Sequence, residues 1–347
     1  MSKRQLNRRQ RWRIDKIQNE RLERARRRQQ RLDSDVADEL GDTEAGRVTA
    51  HYGSKVEVEA QARPGERLRC HFRATLPQLV VGDLVFFQPP RSAGDGVVVA
   101  LEPRRTELRR PDFYGNLKPV AANLDRLLIV FAPLPVPSSQ LLDRYLVAAE
   151  LSGIAPVLVL NKADLVDDVL RPYMDELCKL YTDLDYPVIE ASATEATGLD
   201  ALRAALTGHC AAFVGQSGVG KSSLVNALLP EAALAIGALS ERSGLGQHTT
   251  TTAQLFDVPG GGVLIDSPGI REFGLWHIDE PTLLSGYTDL APLAGRCRFR
   301  NCSHRHEPGC ALHQAVADGR VAEERLDNFF RIAETLDDDT RARYTPA

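Results

Sequence analysis

One stretch of the sequence decides the fold: Gly215-Gln216-Ser217-Gly218-Val219-Gly220-Lys221-Ser222. It fits the G-x-x-x-x-G-K-[ST] phosphate loop at every fixed position. The apolar run 211–214 precedes it as a buried strand, and a helix-compatible run beginning at Ser223 follows it. In such a loop the glycines let backbone N–H groups surround phosphate oxygens at a helix N-terminus. The stretch therefore predicts a nucleotide site in which Lys221 reaches the β- and γ-phosphates and Ser222 ligates Mg²⁺.

A second motif predicts that the base is guanine. Asn161-Lys162-Ala163-Asp164 follows the apolar run 155–160 and resembles the N-K-x-D guanine-recognition motif of GTPases. The Asp164 carboxylate can accept hydrogen bonds from guanine N1–H and the exocyclic amino group together, and adenine lacks that pair of donors. Ser192-Ala193 follows the run 188–191 and fits the accompanying loop, whose backbone N–H meets guanine O6.

The γ-phosphate end of the site is predicted from two further stretches. Asp266-Ser267-Pro268-Gly269 follows the apolar run 263–265 and resembles the D-x-x-G switch, so Asp266 holds Mg²⁺ through water and the Gly269 N–H meets the γ-phosphate. The threonine-rich run 246–252 lies between the phosphate loop and this switch. We expect Thr250 to complete the Mg²⁺ shell, with Thr249 and Thr251 as alternatives.

The residue that orients the attacking water has to lie outside the switch motif. Many GTPases place a glutamine directly after D-x-x-G. This chain has Ile270 there, and an isoleucine cannot orient water. His248 is the nearest polar candidate in sequence, so we predict that His248 is catalytic, with Lys221 and Thr250.

The order of the motifs predicts a circularly permuted domain. Common GTPases run from phosphate loop to threonine switch to D-x-x-G to N-K-x-D, whereas here N-K-x-D comes first. Apolar strands alternate with helical runs after about residue 106, which indicates a parallel sheet with helices on both faces. Each motif follows an apolar strand, where such sheets bind phosphate ligands.

A different pattern precedes this domain, and we predict four segments in all. Short alternating runs between turn signals indicate about five strands in residues 46–105, which suits a small β-barrel, best an OB-fold, with other small barrels open. Four basic residues lie within or beside these strands, Lys55, Arg67, Arg69 and Arg73. The predicted boundaries are 1–45 for a basic arm, 46–105 for the barrel, 106–277 for the GTPase domain and 278–347 for a zinc-binding, helical C-terminal domain.

The charge is distributed unevenly. Residues 1–32 hold 13 Lys and Arg against three acidic residues, in a chain whose net charge is −4. A cationic arm on an acidic body predicts a polyanionic partner, and we expect the arm to be disordered when free and to order on RNA. No apolar run approaches the roughly 20 residues that a spanning helix needs, and the Arg-rich start lacks the apolar region of a secretion signal. We therefore expect a cytoplasmic protein with no membrane partner.

Three of the six cysteines are clustered. The spacing Cys297-x₄-Cys302-x-His304-x₅-Cys310 supplies three thiolates and one imidazole, which suits a tetrahedral structural Zn²⁺. His306 or His313 could take the place of His304. The other cysteines, Cys70, Cys178 and Cys210, are scattered and are expected to be ordinary packed residues.

Taken together, these motifs resemble the ribosome small-subunit-dependent GTPase A (RsgA) family of bacteria. The matching stretches are 215–222, 246–252 and 266–274, together with the cysteine pattern, and the likeness extends from residue 46 onward. The resemblance implies GTP hydrolysis to GDP and phosphate, stimulated by the 30S subunit, with a role in late 30S maturation. It also implies that the barrel and the zinc module contact 16S rRNA. A monomer is expected when the chain is free.

Two other functions stay open at this point. The chain could be an RNA-binding protein whose affinity guanine nucleotide tunes with negligible turnover, or an ATP-dependent RNA enzyme. GTP turnover with and without 30S subunits separates the first from a GTPase. Selectivity for GTP that is lost on Asp164→Asn excludes the second.

Overall fold

The computed structural model describes residues 40–112, 115–229, 253–267, 270 and 274–344, with side chains as far as residue 336. Its strands are β1 Glu44–His51, β2 Lys55–Ala60, β3 Arg67–Phe72, β4 Leu84–Gln88, β5 Gly96–Leu101, β6 Glu107–Pro111, β7 Leu117–Ala122, β8 Arg126–Phe131, β9 Ala155–Leu160, β10 Val188–Glu190, β11 Cys210–Val214, β12 Gln254–Asp257 and β13 Val263–Asp266. Its helices are α1 Ser139–Leu151, α2 Arg171–Thr182, α3 Leu199–Leu206, α4 Lys221–Leu228, α5 Glu280–Ser285, α6 Ala311–Ala317 and α7 Glu323–Tyr344. Among the helices in these ranges, none is long and apolar enough to cross a bilayer.

The first five strands form a closed barrel. The strand order is β1-β2-β3-β5-β4, and β4 pairs back onto β1. In β2 the sequence KVEVEA alternates polar and apolar residues, and every apolar side chain faces the interior. Gly46 is needed in β1 because a Cβ there would lie 2.6 Å from Val58 Cγ1 and 2.8 Å from Phe87 Cε1. The predicted OB-fold-like barrel is confirmed.

The GTPase core is a sheet with strand order β10-β9-β8-β11-β13-β12. The first five of these strands are parallel, and β12 runs antiparallel to β13. Strands β8, β9 and β11 are almost wholly buried, because hydrophobic clusters cover both faces of the sheet. The permuted α/β domain expected from the order of the motifs is confirmed.

Strand β1 connects the barrel to this sheet. It pairs with β2 and β4 in the barrel, and near its end Ala50 lies opposite Gln254 of β12. A bulge between Val48 and Ala50 interrupts the register in between. Arg67 of β3 strengthens the junction, since its guanidinium lies 2.8 Å from the Asp257 carboxylate.

A β6–β7 hairpin lies between the two domains in sequence and forms a separate two-stranded sheet. It is anchored to the barrel through Arg104, whose Nε and second guanidinium nitrogen bind both oxygens of the fully buried Asp83 at 2.7 and 2.9 Å. Beyond the hairpin, the Asn123 side-chain amide donates to the Gly82 carbonyl oxygen at 2.9 Å. The segments before and after the hairpin are thus both held against residues 82 and 83 of the barrel.

A buried ionic network holds the C-terminal helix α7 against the GTPase core. Arg325 of α7 is 1% exposed and contacts the Asp143 carboxylate of α1, while it binds both oxygens of Asp289 at 2.9 and 3.1 Å. Asp143 also accepts from the Tyr181 hydroxyl and the Asn328 amide, both at 3.0 Å. These hydrogen bonds offset much of the cost of burying the charges, although burial still raises the pKa of Asp143.

We predict that Arg325→Met lowers the free energy of unfolding by about 3–5 kcal/mol, because it leaves two buried carboxylates without their cation. Urea denaturation followed by fluorescence measures this difference. The matched control is Arg320→Met, since the Arg320 side chain is 54% exposed and pairs with an exposed Asp318. We expect the control to change stability by less than about 1 kcal/mol. Equal effects of the two substitutions would refute a stabilising role for the network.

Candidate functional site

The phosphate loop has the backbone that its glycines predict. Residues 215–220 connect β11 to α4, and Gly215, Gly218 and Gly220 have φ values of 139°, 85° and 90°. A Cβ on Gly215 would lie 2.1 Å from the Val130 carbonyl oxygen of the neighbouring strand, so a larger residue cannot occupy this position. The loop therefore needs glycine both for its conformation and for its packing on β8.

Lys221 and Ser222 begin α4 at the end of this loop. The Lys221 ammonium donates to the carbonyl oxygens of Gly215 and Gln216, each at 2.7 Å, so it lies over the loop. Ser222 and Ser223 are exposed, as are Gln216 and Ser217, whereas the Val219 side chain is buried in the core. The polar groups of the loop are thus accessible to a ligand, and its one large apolar residue anchors it.

The N-K-x-D motif lies against the phosphate loop, although the two are far apart in sequence. The buried Asn161 donates through Nδ2 to the Val219 carbonyl oxygen at 2.8 Å. Lys162 donates through Nζ to the carbonyl oxygens of Gly218 at 2.7 Å and Leu134 at 2.9 Å. These contacts place the N-K-x-D motif directly against the phosphate loop, and that the two bind one nucleotide stays a prediction.

The residues expected to meet the base lie next to each other. Lys162 has a left-handed backbone conformation, with φ 58°, and this turn is followed by the exposed Asp164. The Ala163 N–H donates to the Ala191 carbonyl oxygen at 3.1 Å, so the segment containing Ser192 and Ala193 lies beside the motif. Ser192 is buried, and its Oγ accepts from the Glu195 N–H at 3.1 Å, which shapes the loop. This leaves Asp164 as the accessible carboxylate of the group.

The polar atoms around the phosphate loop fit a bound nucleotide. Asn161 Oδ1 is buried, and no described group donates a hydrogen bond to it, although buried polar atoms in proteins are rarely unpaired. Several groups that bind nucleotides lie together at this loop. They are the loop glycines, Lys221, the N-terminus of α4 and the accessible Asp164. This donor and acceptor set fits a guanine nucleotide.

At the switch, the structure describes Asp266, Ser267 and Ile270. Asp266 ends β13, which pairs with β11 and so places this carboxylate on the phosphate-loop side of the sheet. Ile270 is 1% exposed and packs in the core, so its side chain is not presented to a ligand at the surface. Gly269, His248, Thr250, Thr249 and Thr251 lie outside the described residues.

The cysteine cluster has the dimensions of a metal site. The ligand atoms of Cys297, Cys302, His304 and Cys310 all lie within 4.8 Å of one another. The separation of Cys297 Sγ and Cys310 Sγ is 3.9 Å, and those from His304 Nδ1 to these two sulfurs are 3.4 and 3.5 Å. A tetrahedral zinc with Zn–S of about 2.3 Å and Zn–N of about 2.0 Å requires edges of about 3.8 and 3.5 Å. The geometry fits this metal.

His304 is the histidine of the cluster, and His306 and His313 lie outside it. His313 Nε2 pairs instead with the His304 carbonyl oxygen at 2.8 Å, so it braces the loop. Glu307 accepts from the backbone N–H groups of Ser303 at 2.7 Å and His306 at 3.2 Å. These hydrogen bonds lower the pKa of Glu307 to about 2. Sequence reasoning missed Glu307, because a loop glutamate gives no signal of this role.

Known proteins resemble the chain over nearly its whole length. A family model described as RsgA GTPase matches residues 101–276. The small ribosomal subunit biogenesis GTPase RsgA of Alcanivorax borkumensis is 64% identical and covers 99% of each chain, and that of Ectopseudomonas mendocina is 54% identical and covers 98% of this chain and 99% of the relative.

Two solved structures are also similar. YjeQ from Thermotoga maritima matches with a TM-score of 0.72 and 31% identity, over 85% of this chain and 99% of that one. YloQ, described as a circularly permuted GTPase, matches with a TM-score of 0.70 and 26% identity, over 88% of this chain and 97% of that one. Both likenesses extend beyond the segment that the family model matches.

We predict that Gly220→Ala weakens nucleotide binding by at least about tenfold. An alanine Cβ would lie 2.4 Å from Asn161 Nδ2, at a backbone φ of 90° that alanine disfavours. Titration with a fluorescent guanine nucleotide measures the affinity. Gly153→Ala is the control, because its φ is 66° but nothing lies within 4 Å of the added Cβ. Unchanged affinity in the Gly220 variant would mean that the contact between the two motifs is not needed for binding.

Proposed function

The chain belongs to the RsgA GTPase family, and from that premise we propose that it binds the 30S ribosomal subunit, hydrolyses GTP there and assists late maturation of the subunit. It is a GTPase of small ribosomal subunit biogenesis, as its relatives at 64% and 54% identity are named. The observation that supports the proposal is the contact of Asn161 and Lys162 with the phosphate loop, because one nucleotide could then reach both motifs. The subunit as partner gives the protein a cytoplasmic location.

In the proposed mechanism the chain's residues bind each part of GTP. Asp164 accepts from the guanine edge, the Ala193 segment meets the O6 side, and Lys221 turns from the loop carbonyls to the β- and γ-phosphates. Mg²⁺, when bound, neutralises charge that develops on the phosphates during cleavage of the β–γ phosphoanhydride. Ser222 and Thr250 are the proposed magnesium ligands, with Asp266 acting through water.

A zinc ion in the cluster of Cys297, Cys302, His304 and Cys310 would be structural, because the protein fills all four coordination positions. The Ala311 N–H donates to Cys297 Sγ at 3.2 Å, which stabilises a thiolate ligand. Burial lowers the pKa of His304, and this favours the neutral imidazole that binds metal. Zinc would order a segment that has few apolar residues of its own.

The barrel provides a surface that suits 16S rRNA, and the composition of the N-terminal arm suits the same partner. Tyr52 lies in the β1–β2 turn and is 44% exposed, and the Arg69 guanidinium lies 5.9 Å from its ring centroid. OB-folds bind oligonucleotides on this face and at this loop. Exposed aromatic and arginine side chains stack on unpaired bases, and the basic arm supplies sequence-independent attraction to phosphates.

The permutation suggests how GTP or GDP in the nucleotide site could affect RNA binding by the cysteine-cluster module. The chain runs from Asp266 in the switch through residues 274–278 into α5 and then the cysteine cluster. A movement of the switch that depends on the γ-phosphate would therefore displace the cysteine-cluster module, which we propose contacts the subunit. In this mechanism GTP favours binding to the subunit, and hydrolysis favours release.

The direct test of the function is GTP turnover of the full chain with and without purified 30S subunits. We expect the 30S subunit to raise turnover by at least an order of magnitude, because a partner completes the catalytic arrangement. Phosphate release measures the rate, and 50S subunits are the control polyanion. Equal stimulation by both subunits would contradict a specific small-subunit partner.

We predict that His248→Ala lowers 30S-stimulated kcat by on the order of 100-fold while KM for GTP stays unchanged, since the residue acts in the transition state. The control is His209→Ala, because His209 precedes β11 at the opposite end of that strand from the phosphate loop. If the His248 variant showed the same 30S-stimulated turnover as the unsubstituted chain, His248 would not be catalytic, and the chain would still be a GTPase.

A further inference from the structure

A cavity of about 370 Å³ lies outside the nucleotide site, between the β6–β7 hairpin, the end of α1 and the segment 274–278. Leu117, Leu151 and Trp276 supply apolar and aromatic surface to its lining. The volume is large enough for a nucleobase with its ribose. The segment 274–278 is also the one that leads from the switch toward the cysteine cluster.

Three arginines line the cavity, and each is paired with a carboxylate. Arg104 is held by the buried Asp83, so the other two are the ones that can reach a ligand. Arg105 and Arg109 have side chains that are 62% and 57% exposed. Arg105 donates to Asp125 at 2.9 Å and Arg109 donates to Glu107 at 2.6 Å, each through one nitrogen. Since a guanidinium has five N–H donors, most of each group is available to a ligand. Arginines in this state suit a phosphate, which accepts several donors at once.

The indole of Trp276 points to a ligand that accepts a hydrogen bond. Its Nε1 atom is buried, and no group in the described ranges accepts its proton. Buried donors without partners are rare in folded proteins. A base offers acceptors for such a donor and a flat face for the ring.

We propose that this cavity binds one unpaired nucleotide of ribosomal RNA, with the base against Trp276 and Leu117 and the phosphate on Arg105 and Arg109. The inference rests on the proposed function in one respect, which is that the RNA belongs to the small subunit. Proteins recognise single-stranded RNA by this combination of an aromatic surface and arginines. An acidic peptide is the weaker candidate, because Glu107 opposes its carboxylates as much as it opposes a phosphate, and the peptide gains nothing from the aromatic wall that a base would contact.

The test uses the full chain carrying Trp12→Phe, in which Trp276 is the remaining tryptophan of two. Ten-nucleotide oligouridylate and oligoadenylate are titrated against its tryptophan emission. We expect saturable quenching by at least one oligonucleotide. Arg105→Gln with Arg109→Gln should weaken this binding and lower the dependence of log K on log salt by about 0.7 for each arginine. Arg171→Gln with Arg203→Gln makes the same charge change outside the cavity, at side chains that are 40% and 37% exposed, and should leave both quantities unchanged.

Three results would overturn the proposal. The first is that neither oligonucleotide quenches the emission, and the second is that the double arginine variant is quenched as strongly as the parent. The third is that a ten-residue glutamate peptide quenches more strongly than RNA. Sedimentation with 30S subunits and stimulated GTP turnover are measured on the same preparation. If these persist while quenching fails, the proposed function stands and the cavity has another role. If both fail, the ribosomal assignment itself is wrong.

Discussion

The hydrogen bonds from Asn161 to the Val219 carbonyl oxygen and from Lys162 to the Gly218 carbonyl oxygen are the contacts on which the site depends. They join residues 58 and 56 positions apart in the chain. Strands β9 and β11 lie on either side of β8, so the loops that follow them emerge at the same edge of the sheet. Permutation changes the order of the motifs along the chain without changing this juxtaposition, because the sheet fixes where each strand ends.

The same sheet holds the other parts of the molecule in place. Strand β1 belongs to the barrel and also pairs with β12, so the barrel is a continuation of the GTPase sheet. On the other side, Arg325 fixes α7 to Asp143 of α1, the helix that follows β8. The connection to α7 starts from α1, which follows the strand next to β11, whereas the connection to the barrel starts from β12, two strands away from β11.

The features predicted best from the sequence are those that depend on neighbouring residues in the chain. The bounds of β9 agree with its apolar run, because a fully buried strand between two turns leaves few alternatives. The cysteine pattern predicted the cluster, although the choice of His304 over His306 and His313 required the fold. The positive φ at Gly220 follows from the motif, whereas its close approach to Asn161 is a tertiary contact.

Features that depend on distant partners could not be predicted in this way. Arg325 occurs in a charged helical run and looks like a surface residue until Asp143 and Asp289 are brought to it. The β6–β7 hairpin has mixed burial and no clean alternation, so nothing in its sequence separates it from the domains on either side. The predicted domain boundaries and the roles of His248 and Thr250 stay predictions.

A crystal structure of the chain with Mg²⁺ and a nonhydrolysable GTP analogue tests the central claim most directly. One nucleotide should bridge the two motifs, with its guanine edge within hydrogen-bond distance of the Asp164 carboxylate and its β- and γ-phosphates on Lys221 Nζ. A nucleotide that contacts Lys221 while its base lies away from Asp164 would contradict the account.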